Sequence, residues 1–193
     1  MYNTIGNLAC KEEPRTEIIG GKVVMLAAPS TKHEVAVDNI YSIFRDYLRG
    51  KPCRVFTSNC AVFIEDGETY QPDVKVVCDR SKIQPDGIHG APDLVVEVLS
   101  PSTGRNDRGR KMEVYERNDV REYWIVDPVS QTVDQYVLES ERLLLRNSCT
   151  LTEEVNVELL SEERRAALLK EFPCVLFEDL TISLEKVFSE ENW

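Results

Sequence analysis

Histidine is nearly missing from this sequence: only His33 and His89 occur, and none of the six cysteines, at 10, 53, 60, 78, 149 and 174, forms a C-x-x-C pair. A structural zinc site needs tight pairs of soft ligands, so none is expected. The scattered cysteine spacing instead predicts reduced thiols, several of them in the core. No stretch comes near the roughly 18 consecutive apolar residues that span a bilayer. The opening MYNTIGNLACKEEPRTE lacks a basic segment followed by an apolar block. Neither a membrane span nor a secretory signal is expected, and the cytoplasm is the expected location. Tryptophan occurs only as Trp124 and Trp193, which leaves no aromatic platform for a sugar and disfavours a glycosidase built on paired carboxylates. Positive charge is also scarce, with 23 Lys and Arg against 34 Asp and Glu and a formal net charge of -11. A generic nucleic-acid coat would need a basic face. The acidic excess is uneven, because 151–193 holds eleven acidic and four basic residues, whereas GRNDRGRK (104–111) is locally basic.

What is present suits a globular chain. Apolar residues make up 42% and charged residues 30% of 193, enough for a single domain with its own core. Residues 1–16 read as a loosely held arm, and 17–193 as one domain with an acidic segment at 151–193. EIIGGKVVML (17–26) predicts a β-hairpin around Gly20-Gly21. Val37, Ile40, Phe44 and Leu48 recur at three and four residues, so a helix is expected at 31–49, started by Ser30 or Thr31 and ended by Gly50. Strands are expected in 54–64, 70–79, 93–99, 121–128 and 132–138, with a turn at 65–68, a Gly- and Pro-rich loop at 81–92 and helices at 107–118 and 161–171. The order predicts an α/β (α+β) fold with a mixed central sheet flanked by helices.

Glu97 breaks the pattern. It sits inside the apolar strand LVVEVL, where a bare carboxylate is costly unless it is ion-paired or binds a metal. Asp73 opens the preceding strand after Pro72, either as a turn residue or as a partner for Glu97. If the two strands pair antiparallel, Asp73 approaches Glu97, and two converging carboxylates suit a hard cation such as Mg²⁺. Asp93, at the far end of its strand, reads as structural. Asp107, Lys111 and Tyr115 share one helical face. Lys111 then either projects toward Glu97 or pairs with Asp107. Glu34 reads as the acidic member of a capping box begun by Thr31. His33 falls on the apolar stripe, as a core histidine or at the rim of a site.

The segments QPDVKVV, GAPDLVVEVLSPST, ND-x₃-K-x₃-Y and V-REYWIVDP resemble a family described as putative restriction endonucleases, within the PD-(D/E)XK nuclease-like superfamily. The likeness runs from about residue 17 to the end. It implies a restriction-endonuclease-like sheet on which Asp73 and Glu97 are the motif carboxylates. A lysine in the usual E-x-K place would be residue 99, but this chain has Leu99. The family pattern points to Lys111 on the following helix, with Lys75 as a second candidate. The superfamily's helical acidic residue falls on Glu34. The resemblance implies Mg²⁺ or Mn²⁺ held by Asp73, Glu97 and the Val98 carbonyl, with Lys111 serving the reacting phosphate and water. Arg105, Arg108 and Arg110 either contact nucleic-acid phosphates or form a solvated helix start.

The expected function is hydrolysis of phosphodiester bonds in nucleic acid, with DNA as the favoured substrate. The competing reading is a non-catalytic nuclease-fold module that binds nucleic acid or protein. A homodimer and a protein partner for the acidic segment 151–193 are further expectations.

Overall fold

The computed structural model describes residues 15–64, 67–100, 104–151 and 170–190, without the side chain of Arg105. The Gly-Gly signal forms the expected turn: β1 (Thr16–Ile19) and β2 (Lys22–Met25) pair antiparallel, and Gly20 and Gly21 take φ values of 59° and 72°. Helix α1 (Thr31–Tyr47) starts at Ser30, whose side chain accepts from the His33 amide at 3.3 Å. The capping box with Thr31 and Glu34 is thus not used, because the cap lies one residue earlier. The Glu34 side chain is left 61% exposed.

Strands β3 (Arg54–Thr57), β4 (Val62–Ile64), β5 (Glu68–Tyr70) and β6 (Val74–Val77) follow. The continuous strand expected over 70–79 is split at Pro72, which has no amide to donate to a ladder, and β5 and β6 belong to different sheets. The stretch 81–92, expected as a loop, carries a short 3-10 turn (Arg80–Lys82) and the hairpin of β7 (Ile83–Gln84) and β8 (Gly87–His89). Here glycine serves close approach rather than coil: a Cβ on Gly87 would lie 2.6 Å from the Ala61 carbonyl oxygen.

After β9 (Leu94–Val98) the chain enters α2 (Gly104–Asn106), a π-helical turn (Asp107–Lys111) and α3 (Met112–Arg117), with non-helical backbone at Gly109. Then come β10 (Glu122–Asp127), β11 (Thr132–Glu139), β12 (Arg142–Thr150), β13 (Glu171–Pro173), β14 (Thr181–Ser183) and α4 (Leu184–Phe188). β12 is not anticipated by the sequence pattern. A register shift between Gln135 and Tyr136 in its partner, with Leu144 and Leu145 both exposed, blurs the alternation that would betray a strand. The arm at 1–14, Glu65 and Asp66 of the expected turn, and nearly all of the helix expected at 161–171 lie outside the described residues.

The central sheet has the order β12-β11-β10-β9-β6-β3, with β9 and β10 parallel and the other pairs antiparallel. A second sheet has the order β2-β1-β5-β4-β8-β7. Strand alternation divides the central sheet's side chains between two cores. Leu94, Val96, Val98 and Trp124 pack with Ile40 and Phe44 of α1 and Val187 of α4. Val95 and Tyr123 point the other way, toward Val114 and Tyr115 of α3 and Val62, Tyr70 and Ile88 of the second sheet. This is the mixed, helix-flanked sheet expected from the sequence. Among the described residues no helix is long and apolar enough to cross a membrane.

The cysteines correct one expectation. Cys53 and Cys78 form a disulfide, while Cys60, Cys149 and Cys174 are free. Arg54 pairs with Val77 across β3 and β6, so Cys53 and Cys78 are brought face to face by strand register, which sequence spacing does not reveal.

Candidate active site

Strand pairing assembles the site. Val74 on β6 lies opposite Val96 on β9 in an antiparallel ladder. One residue on, Asp73 therefore comes level with Glu97, and directly opposed residues point to the same face. That face is the one Val95 shares, turned toward the second sheet, with His33 at the start of α1 reaching its edge. Asp73 Oδ2 accepts from the Val98 amide at 2.8 Å and lies 3.3 Å from His33 Nε2.

Lys111 arrives from the helical segment after β9. Its Nζ stands 3.1 Å from Glu97 Oε1, 3.0 Å from Glu17 Oε1 and 3.2 Å from Asp107 Oδ1. Lys111 pairs with Asp107 and projects toward Glu97 together, on a buried face rather than a solvated one. Tyr115, one helical turn further on, donates its hydroxyl to the same Glu97 oxygen at 3.1 Å. Lys75 goes elsewhere: its ammonium donates to the carbonyls of Thr57 at 2.7 Å and Pro72 at 3.0 Å. Burial pushes its pKa down to about 8.

Glu17 was not foreseen. The hairpin signal drew attention to Gly20-Gly21, yet Glu17 alternates with Ile19 on the buried side of β1 and is 1% exposed. A carboxylate on the inward face of a strand is the same anomaly that singled out Glu97. Glu17 Oε1 accepts from the Gln71 amide at 2.8 Å as well as facing Lys111. Its Oε2 is buried with no hydrogen-bond partner among the described residues.

These groups line a cavity of about 40 Å³ whose wall includes Glu17, Asp73, Glu97, Val98 and Lys111, with Arg15, His33, Gln71 and Ser100. Its electrostatics are dominated by crowded carboxylates. Burial drives the Glu97 pKa well above the usual carboxylate range; Lys111 opposes this, but Asp107, Glu17 and Asp73 add to it. Burial also disfavours the Lys111 ammonium, yet Glu97, Glu17 and Asp107 outweigh it and hold the pKa above its ordinary value. For His33, burial is offset by Asp73 and then by Glu34, and the imidazole pKa is raised.

Of the expected site residues, Asp73, Glu97, Val98 and Lys111 come together. Glu34 stays outside, its carboxylate 3.4 Å from His33 Nδ1. Arg108 and Arg110 do not line the cavity. Arg108 pairs with Asp134 at 3.0 Å and Arg110 with Glu68 at 2.7 Å. The Arg105 side chain lies outside the described residues. Asp93 is structural as expected, accepting from the Cys78 amide at 2.8 Å.

The donors suit a hard divalent cation: every anionic group on the cavity is a carboxylate. One more observation favours such an ion, namely the unpartnered Glu17 oxygen. Among the described residues no group of three or more His, Cys, Asp or Glu is already disposed around one metal position. As arranged, Asp73, Glu97 and Val98 share the cavity wall.

The fold and the paired carboxylates define a restriction-endonuclease-like protein. A solved chain described as a putative nuclease belonging to DUF820 from Anabaena variabilis shares this fold, with a TM-score of 0.68 at 20% identity over 92% of this chain and 91% of that one. An uncharacterised protein of Synechocystis, slr1290, is 31% identical over 128 residues, which are 65% of this chain and 67% of that protein. The model of the Uma2 family, described as Putative restriction endonuclease, matches residues 7–168, and the chain belongs to that family.

Proposed function

We propose that this chain is a divalent-metal-dependent endonuclease that hydrolyses phosphodiester bonds of nucleic acid, with DNA as its substrate. The observation that carries this reading is the level pairing of Asp73 and Glu97 on neighbouring strands, facing a cavity on which Lys111 stands 3.1 Å from Glu97. Asp73, Glu97 and the Val98 carbonyl would hold Mg²⁺ or Mn²⁺. When bound, that ion supplies Lewis acidity toward the phosphate and lowers the pKa of water.

The chain's own residues supply the rest. Asp73 is oriented by the Val98 amide and by His33, so its carboxylate is fixed before any ligand arrives. Lys111 places a permanent positive charge beside Glu97, where it offsets charge building on a phosphate in a site shielded from water. Glu34 acts at one remove, through His33, rather than as a ligand. Arg108, paired with Asp134 but about half exposed, is the arginine of the run left to meet the nucleic-acid backbone. Arg110 is committed to Glu68 by two hydrogen bonds, at 3.2 and 2.7 Å, and contributes position more than phosphate contact.

The test is nuclease activity of wild type and Glu97→Gln on mixed DNA and RNA substrates, with Mn²⁺ and Mg²⁺ titrated by calorimetry in the same buffers. Cleavage that requires both the ion and Glu97 supports the reading. Absence of ion binding by a folded wild-type protein overturns it. The second reading, a nuclease-fold binding module, is favoured by one observation. Three carboxylates already face the Lys111 ammonium, which has only three donors.

A further inference from the structure

We propose that Glu17 is a third cation-ligating carboxylate, reaching the centre from the β1–β2 hairpin so that one ion ties the two sheets together. This role presupposes the divalent-ion centre proposed above.

Glu17 has a divided carboxylate. Oε1 is occupied by the Gln71 amide and by Lys111, whereas Oε2 is buried without a donor among the described residues. Leaving a buried carboxylate oxygen unmatched is costly, and such an orphan calls for an ion or ordered water. Glu17 and Glu97 are held on the same ammonium, at 3.0 and 3.1 Å, so the two carboxylates stand close together. Both line the cavity with Asp73, and its volume of about 40 Å³ has room for an ion together with bound water. Because Oε2 is idle, Glu17 can engage a cation there without giving up the Gln71 or Lys111 contact. Glu34 has no comparable access, since its side chain is 61% exposed and lies on the outer side of His33. The hairpin carboxylate therefore does here what the helical one was expected to do.

The consequence is mechanical as well as electrostatic. Asp73 and Glu97 belong to the central sheet and Glu17 to the second sheet. A shared ion would add a bond between layers that Lys111 already bridges through Glu17 and Glu97.

The experiment measures Mn²⁺ binding by electron paramagnetic resonance of the free ion. It also counts inner-sphere waters from Tb³⁺ luminescence decay in light and heavy water. The proteins are wild type, Glu97→Gln, Glu17→Gln and Glu17→Asp. Glu17→Gln is expected to weaken Mn²⁺ binding by about tenfold or more and to add at least one water to bound Tb³⁺. Glu17→Asp keeps the charge but shortens the reach, so it is expected to shift the same way, whereas a purely electrostatic role would leave it like wild type. Thermal melting checks the fold, and if the Gln variant does not fold, the Asp variant decides. Binding within twofold of wild type and an unchanged water count in the Glu17 variants, while Glu97→Gln abolishes binding, would overturn the Glu17 role and leave the centre standing. A wild-type protein that binds neither ion overturns the centre and the Glu17 role with it.

Discussion

The backbone amide of Val98 donates to the Asp73 carboxylate at 2.8 Å, so a side chain continues the β6–β9 ladder past its last backbone pair, Val74 with Val96. Asp73 thereby closes the end of the central sheet and presents a carboxylate at the cavity. The two tasks separate by mutation. Asp73→Asn keeps an acceptor for Val98 and is expected to stay within about 1 kcal/mol of wild type while losing Mn²⁺ binding. Asp73→Ala leaves the amide unmatched and is expected to cost about 1–3 kcal/mol. Urea unfolding measures both. Equal destabilisation by the two variants would show that charge, rather than the acceptor, holds the strand end.

Lys111 is the hub of Glu17, Glu97 and Asp107. Lys111→Met removes the ammonium that three buried carboxylates share and is expected to cost about 3–5 kcal/mol. Because a divalent cation can replace part of the missing charge, Mn²⁺ is expected to recover more stability in Lys111→Met than in wild type. Chemical denaturation with and without Mn²⁺ measures the difference. A variant as stable as wild type without metal would mean that the carboxylates are protonated or hydrated instead.

Glu68 gives a pH dependence of definite sign. Burial tends to raise its carboxyl pKa, but Arg110, the Gly20 amide and Tyr70 more than offset it and hold the value below the usual 4.5. A carboxyl depressed in the folded state stabilises the fold above its unfolded pKa, and that stability is lost as pH falls through the folded value. Acid unfolding of Glu68→Gln is therefore expected to show a shallower fall in stability below pH 4.5 than wild type. Its stability at neutral pH is expected to be lower, because Arg110 loses its counter-charge and one of the two oxygens that accept from Gly20, Tyr70 and Arg110 becomes a donor. Parallel acid titrations of the two proteins would contradict the assignment.

Arg108 and Arg110 differ although they are near neighbours. Arg108→Gln is expected to weaken DNA binding evenly across sequences and to reduce the salt dependence by about one ion. Arg110→Gln is expected to act on stability, since its guanidinium pins Glu68 and through it the hairpin turn at Gly20. Fluorescence anisotropy across a salt series, beside thermal melts, separates the two. Salt slopes unchanged from wild type in both variants would show that neither arginine meets phosphate.

Much of the site was legible because its residues violate local rules. A glutamate in LVVEVL, an aspartate behind Pro72 and a lysine one turn from Asp107 are visible as departures from strand and helix patterning. Glu17 violates the same rule, yet its strand is only four residues long, too short for an alternation to stand out beside the Gly-Gly turn. The β7–β8 hairpin was hidden because Pro and Gly, which mark loops locally, here permit close strand packing. The Cys53–Cys78 bond depends on which strands become neighbours, a tertiary fact with no local trace. The arginine run reads as a phosphate contact in one dimension, but in space Glu68 and Asp134 answer two of its charges.

Lys111 meets carboxylates that come from β1, β9 and the turn that opens its own helical segment. The first of these precedes nearly all of the described fold and the last follows the central strand. Such a centre cannot be built early in synthesis or preserved in a clipped fragment. The proposed chemistry would wait until the hairpin, the strands and the helix have all docked. For a protein with the chemistry proposed here, chains that are unfinished or have lost part of their structure would be unable to cut.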